Sequence, residues 1–146
     1  MKIGAVGLGN RIAHVYHELS QINKDAELIA YVDPLPIGRE YAEKNEFFPR
    51  KEYSTLNEML SNEKLDLLMI GSPNHLHLEH IKIGLNSGIK IFAEKPIVVN
   101  ENQSFELAKL LGEFGEDQVL VGLVLRYSQH ARSVRDLINK NVLGNI

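Results

Sequence analysis

Lys2-Ile3-Gly4-Ala5-Val6-Gly7-Leu8-Gly9-Asn10-Arg11-Ile12 opens the chain as a short apolar run that breaks into glycine and restarts with helical spacing. A strand, a Gly-x-Gly turn and a helix in this order build a seat for a pyrophosphate. The backbone can approach the anion closely, and the helix offers it unpaired N–H groups and a positive dipole end. Gly7 suits the sharp turn and Gly9 the close approach, because neither carries a Cβ. The usual fingerprint has glycine or alanine at a third position, where this sequence has Ile12, and that departure weakens the motif.

The residues that follow repeat the alternation of strand and helix. Ile12, Val15, Leu19 and Ile22 have the spacing of a helix running from Arg11 to Ile22. Glu27 to Asp33 reads as a second strand, and Asp33 sits where a dinucleotide site places the carboxylate that binds the adenosine ribose. Asp33-Pro34 is also a common turn opener. The carboxylate would repel a 2′-phosphate, which favours NAD over NADP, although nearby Arg39 leaves NADP open. Ile37 to Asn45 is expected to be helical with Tyr41 and Ala42 inward, and Phe47-Phe48-Pro49 a connection whose aromatics fill a gap. Thr55 and Glu58 have capping-box spacing for a short helix. Asp66 to Ile70 is a continuous apolar run, as in a strand covered on both faces.

Gly71-Ser72-Pro73-Asn74-His75-Leu76-His77 leaves that strand and opens a helix through Gly88, with Asn74 as its expected N-cap. His77 could reach from this turn into a ligand crevice. A metal is not expected. His75 and His77 would point about 200° apart on a helix, and the His14/His17 pair has no third ligand near it. Ile89 to Ala93 is the next strand and delivers Glu94-Lys95-Pro96 to its carboxyl end, where open α/β sheets bind ligands. A lysine there can act as acid or base. Asn100 to Phe114 reads as a capped helix closed by Gly115. Val119 to Leu125 reads as a last buried strand ending in Arg126-Tyr127, and Ser128 to Lys140 as a last helix. The whole predicts an α/β fold: a Rossmann-like, doubly wound, mainly parallel sheet with helices on both faces.

Composition narrows the function classes. The chain has 146 residues, one domain's worth. Its net charge of −3 argues against a nucleic-acid partner. It has no cysteine, so disulfides and thiolate chemistry are excluded. No apolar run approaches the length of a membrane span, and the first strand follows Met1 at once, so a cytoplasmic protein is expected.

Four landmarks give the sequence a resemblance to the amino-terminal domain of the glucose–fructose oxidoreductase, inositol dehydrogenase and rhizopine-catabolism family. They are Gly7-Leu8-Gly9-Asn10, Asp33-Pro34, Ser72-Pro73-Asn74-His75-Leu76-His77 and Glu94-Lys95-Pro96. Arg126-Tyr127, followed by a helix and Leu143-Gly144, also resembles the family's exit from its nucleotide domain. The resemblance implies a site residue by residue. Gly7, Leu8, Gly9, Asn10, Arg11 and Ile12 would form the pyrophosphate turn, and Asp33 the ribose contact. Ser72, Pro73, Asn74 and His77 would line the cofactor crevice. Glu94 would lie near the nicotinamide ribose, Lys95 near the reacting carbon for both cofactor positioning and proton transfer, and Arg126 at the cofactor. It implies NAD or NADP as cofactor and a sugar or polyol substrate. It also implies a carboxyl-terminal substrate and dimerisation domain that residues 1–146 do not include, so truncation after Ile146 is expected. The full-length protein would then be a homo-oligomer, and the 146 residues alone monomeric and inactive. A free-standing NAD(H)-binding or sensing module without catalysis is the alternative.

Overall fold

Strand and helix alternate because apolar runs with strand spacing are separated by amphipathic stretches with helical spacing. In the computed structural model, which describes residues 1–142 and 144, these stretches become six strands and six α-helices. The order is β1 (Lys2–Val6), α1 (Asn10–Ile22), β2 (Glu27–Val32), α2 (Ile37–Lys44), β3 (Lys51–Glu52), α3 (Leu56–Asn62), β4 (Leu67–Ile70), α4 (His77–Asn86), β5 (Lys90–Ala93), α5 (Glu101–Phe114), β6 (Val119–Val121) and α6 (Gln129–Asn139).

All pairings are parallel, in the order β3-β2-β1-β4-β5-β6. This is the doubly wound arrangement, whose topological switch point lies between β1 and β4. Side chains alternate across the sheet. Leu68, Ile70, Ile91 and Ala93 join the core beneath α3, α4 and α5, whereas Met69 and Phe92 join the one beneath α1 and α2. Both faces of the central strands are therefore dry, which is why β4 reads as an unbroken apolar run.

Local chemistry sets the helix ends. The Thr55 Oγ1 accepts the Glu58 N–H at 3.1 Å, and the Asn100 Oδ1 accepts that of Gln103 at 2.9 Å. Gly115 closes α5 with a φ of 103°, a region that disfavours side chains.

Several expectations are corrected. One strand is not anticipated at all: β3 is an exposed two-residue edge strand, too short to show any alternation. Asn74 is not a side-chain N-cap: Pro73 O already accepts the Leu76 N–H at 2.8 Å in a 3₁₀ turn over Asn74–Leu76, and α4 begins after it. Phe47 packs edge-on against Tyr16, with ring centroids 4.7 Å apart, but Phe48 is exposed. Tyr41 is only half-buried beside the buried Ala42. The last strand is shorter than expected and not buried. It ends at Val121, a 3₁₀ turn follows over Val124–Tyr127, and Leu120 is 53% exposed. As the edge strand, β6 pairs with β5 alone. The apolar stripe of α6 (Val134, Leu137 and Ile138) also faces out. Leu143, part of the exit landmark, lies outside the described residues. Among them, no helix is long and apolar enough to cross a membrane.

Candidate functional site

Four strand ends build the site. At the end of β1, Gly7 adopts a φ of +76°, and its N–H donates to Val32 O at 2.8 Å. A Cβ here would lie 2.4 Å from Ser72 N and 2.5 Å from Gly71 C, so two backbone turns cross where only glycine fits. Gly9 is the N-cap of α1 and makes no side-chain cap, and the first turn of α1 holds no acidic residue. The helix therefore presents its amino-terminal N–H groups outward to an anion. A Cβ on Gly9 would meet nothing within 4 Å.

Ile12 does not intrude on that seat. Its side chain is 1% exposed within the core beneath α1. The room comes from Gly71, where a Cβ would sit 2.3 Å from Ile12 Cγ1. Close helix–strand packing is kept by moving the small residue from the helix to the end of β4. Gly71, directly after an apolar run, was the sequence signal for this. Leu8 is fully buried and acts through its backbone: its N–H donates to Asp33 Oδ2 at 2.9 Å. The other Asp33 oxygen accepts the Leu35 N–H at 3.0 Å. The carboxylate is thus held rigidly against the glycine turn.

At the end of β5, Glu94 is buried. Its Oε1 accepts from Arg11 Nε at 3.1 Å, and its Oε2 accepts the Lys95 N–H at 3.3 Å. The ion pair joins the start of α1 to the end of β5 across the crevice, a link that sequence spacing does not reveal. Lys95 is exposed, and the Lys95–Pro96 bond is cis. Ser72 Oγ and His80 Nδ1 share a hydrogen bond at 2.8 Å. Burial first, with His77 nearby, holds the His80 pKa below its ordinary value. His77 is 1% exposed, with its ring nitrogens 2.8 Å from Pro96 O and from Ser72 O.

These turns enclose two lobes. A cavity of about 600 Å³ is lined by Gly7, Gly9, Asp33, Ser72, Pro73 and His80, together with apolar side chains such as Leu35, Ile37 and Ile83. A second, of about 450 Å³, is lined by Gly9, Arg11, Ile12, Ser72, Asn74, His77, Glu94 and Lys95. Gly9, Gly71 and Ser72 line both, so the lobes meet at the helix start. Asn10 is exposed at the first position of α1 and lines neither. Arg126 lines an adjoining apolar hollow with Lys95 and residues 122–125. Arg39 lines a separate small hollow beside Tyr31. There, burial first and then the Glu52 carboxylate, 2.8 Å from the phenol, push the Tyr31 pKa up to about 12. No group of three or more metal-ligating side chains occurs among the described residues.

The chain is similar to known proteins over its whole length. Scyllo-inositol dehydrogenase from Lactobacillus casei, solved with bound NAD(H) and scyllo-inositol, is 25% identical with a TM-score of 0.86. That match covers 100% of this chain and 43% of the solved one. Glucose-6-phosphate 3-dehydrogenase from Bacillus subtilis is 29% identical over 99% of this chain and 40% of its own. The 2,7-anhydro-N-acetylneuraminate hydratase of Mediterraneibacter gnavus is 28% identical over 88% of this chain and 34% of its own. This chain thus spans about two fifths of the length of such relatives. Residues 1–123 match the family model described as an oxidoreductase family with an NAD-binding Rossmann fold. With a parallel sheet wound as that fold requires and a crevice at its switch point, the chain belongs to this family, the one its four landmarks resemble.

Proposed function

We propose that residues 1–146 are the cofactor-binding part of an NAD-dependent dehydrogenase acting on a sugar or polyol. The observation that carries this reading is the pair of lobes meeting at the start of α1, one walled by Asp33 and the other by Glu94 and Lys95. An extended dinucleotide needs two such chambers and an anion seat between them. The residues fit the group. Asp33, held by two backbone N–H groups, is poised for the adenosine ribose hydroxyls, and the apolar wall of the same lobe suits adenine. Gly9 and the bare N-terminus of α1 suit the pyrophosphate. When bound, the cofactor supplies a nicotinamide ring that exchanges hydride with the substrate carbon.

The chain's own residues supply positioning and proton handling. Glu94, neutralised by Arg11, anchors the backbone of Lys95. Lys95 borders both the second lobe and the adjoining apolar hollow, where its amine can take the proton of a substrate hydroxyl and its ammonium can return one to a carbonyl oxygen. Asp33 lines the first lobe and opposes a 2′-phosphate there, which favours NAD over NADP. The substrate wall and the surfaces for self-association belong to further sequence of the kind the longer relatives have. The exposed apolar side chains of β6 and α6 are where such a domain would rest. A cytoplasmic oligomer is the corresponding whole protein.

Calorimetric titration of the 146-residue chain with NADH and NADPH tests the reading. NADH is expected to bind more tightly than NADPH. Absence of binding by either at millimolar ligand overturns it.

A further inference from the structure

His77 is among the most deeply buried polar side chains in the molecule, at 1% exposure. It is the first residue of α4 and lies between two turns that the sequence separates widely. Its Nε2 is 2.8 Å from the carbonyl oxygen of Ser72, at the end of β4. Its Nδ1 is 2.8 Å from the carbonyl oxygen of Pro96, after the end of β5. Both partners are carbonyl oxygens, which only accept. A bare ring nitrogen held at 2.8 Å from a carbonyl would set two lone pairs against each other, so each contact calls for an N–H.

From this geometry we infer that His77 is a positioning residue: a two-headed clamp that donates an N–H from each ring nitrogen, ties the Ser72 turn to the Glu94-Lys95-Pro96 turn, and so fixes where Lys95 stands in the crevice. A neutral imidazole carries one N–H and the cation two, so the closed clamp is the imidazolium. Burying that charge is tolerable because both donors are satisfied by carbonyl oxygens. The other titratable groups around the ring are Lys95 at the end of β5, Arg11 of α1, which is paired with Glu94, and His80 one turn along α4. His80 shares a hydrogen bond with the Ser72 hydroxyl at 2.8 Å. Ser72 is therefore gripped twice, at its carbonyl by His77 and at its hydroxyl by His80, and it lines both lobes. The network joins the wall of the first lobe to the turn that carries Lys95.

The inference rests on the proposed role of Lys95 for its functional meaning, but not for its structural content, and the experiment separates the two. In the histidine-¹⁵N-labelled 146-residue chain, long-range ¹H–¹⁵N correlation at neutral pH is expected to show both His77 ring nitrogens protonated, with their protons slow to exchange. A His77 with one bare nitrogen overturns the clamp. His77→Phe keeps the ring and removes both donors. It is expected to shift the Ser72 and Lys95 backbone amide resonances and to weaken NADH about tenfold, the worth of a lost charge-assisted hydrogen bond. Unchanged amides and unchanged affinity in that variant mean that the ring only fills space, which overturns the inference. If His77→Phe does not fold, His77→Gln, which can reach only one of the two carbonyls, is expected to move one turn's amides and leave the other's in place. Wild-type shifts at both turns in His77→Gln refute the clamp. If wild-type chain binds no NADH, the cofactor reading falls while the nitrogen spectrum still decides the clamp.

Discussion

Gly7 and Gly9 lie two residues apart in the same motif, yet the structure assigns them different work, and alanine at each separates the two. At Gly9 the backbone has φ −73° and ψ 175°, which any residue adopts, and an added Cβ meets nothing within 4 Å. The stiffer unfolded chain favours alanine by about 0.4–1 kcal/mol, and the loss of a good N-cap residue opposes it by a similar amount. Stability should therefore stay within about 1 kcal/mol, a melting shift of roughly 2–4 °C for a domain of this size. The open space around Gly9 is where the two lobes meet, so the same methyl group displaces an incoming phosphate. Losing one charge-assisted hydrogen bond costs about 1.5–3 kcal/mol, or roughly 10–100-fold in NADH affinity. At Gly7 a Cβ falls 2.4 Å from Ser72 N with φ at +76°. The clash is with backbone, which cannot swing aside. Left-handed strain of about 1–2 kcal/mol and overpacking of about 1–3 kcal/mol together destabilise Gly7→Ala by about 2–5 kcal/mol. Thermal unfolding and NADH titration on the same samples decide the matter. A folded Gly9→Ala chain that binds NADH like wild type would falsify the pyrophosphate seat. Equal melting losses in the two variants would refute the division of labour.

Three further outcomes follow from the same geometry. Gly71→Ala should lose about 1–3 kcal/mol, because its Cβ would press on Ile12 Cγ1 at 2.3 Å. Adding Ile12→Ala should recover part of that loss, since the contact at 2.8 Å with Gly7 O remains; strictly additive losses in a double-mutant cycle measured by denaturant unfolding disprove the pairing. Asp33→Asn should narrow the preference for NADH over NADPH by about tenfold or more, as removal of a like-charge repulsion relieves a cost of several kcal/mol, and an unchanged ratio by titration removes Asp33 from cofactor choice. Tyr31 should titrate by ultraviolet absorbance near 12, above its ordinary value near 10. Because folding raises this pKa, its contribution to stability is complete below about pH 10 and is lost as pH rises toward 12. Glu52→Gln should lower the Tyr31 midpoint, and an unmoved midpoint excludes the carboxylate as a cause.

Much of this was legible in the residues because strand and helix spacing depend on local pattern. The run Asp66 to Ile70 had to be a doubly covered strand, and Asn100 with Gln103 had to start a helix, since capping is settled within four residues. The errors have a common cause as well. Val119 to Leu125 has the apolar content of a buried strand, but whether a strand is central or an edge depends on its neighbours. Asn74 has the chemistry of an N-cap, yet a proline-led 3₁₀ turn had already engaged the local backbone.

By itself, then, the sequence determined the alternation of elements, the glycine turn, and the placing of Asp33 and of Glu94-Lys95-Pro96 at strand ends. Each of these is read from neighbours along the chain. Only the tertiary structure decided how those ends meet. It brought Arg11 to Glu94 across 83 positions, buried Ile12 against Gly71, and set both nitrogens of His77 on carbonyls from two different turns. Pairings of that kind follow from strand order and register, and parallel strands placed side by side by helical crossovers leave no trace of their adjacency in local spacing.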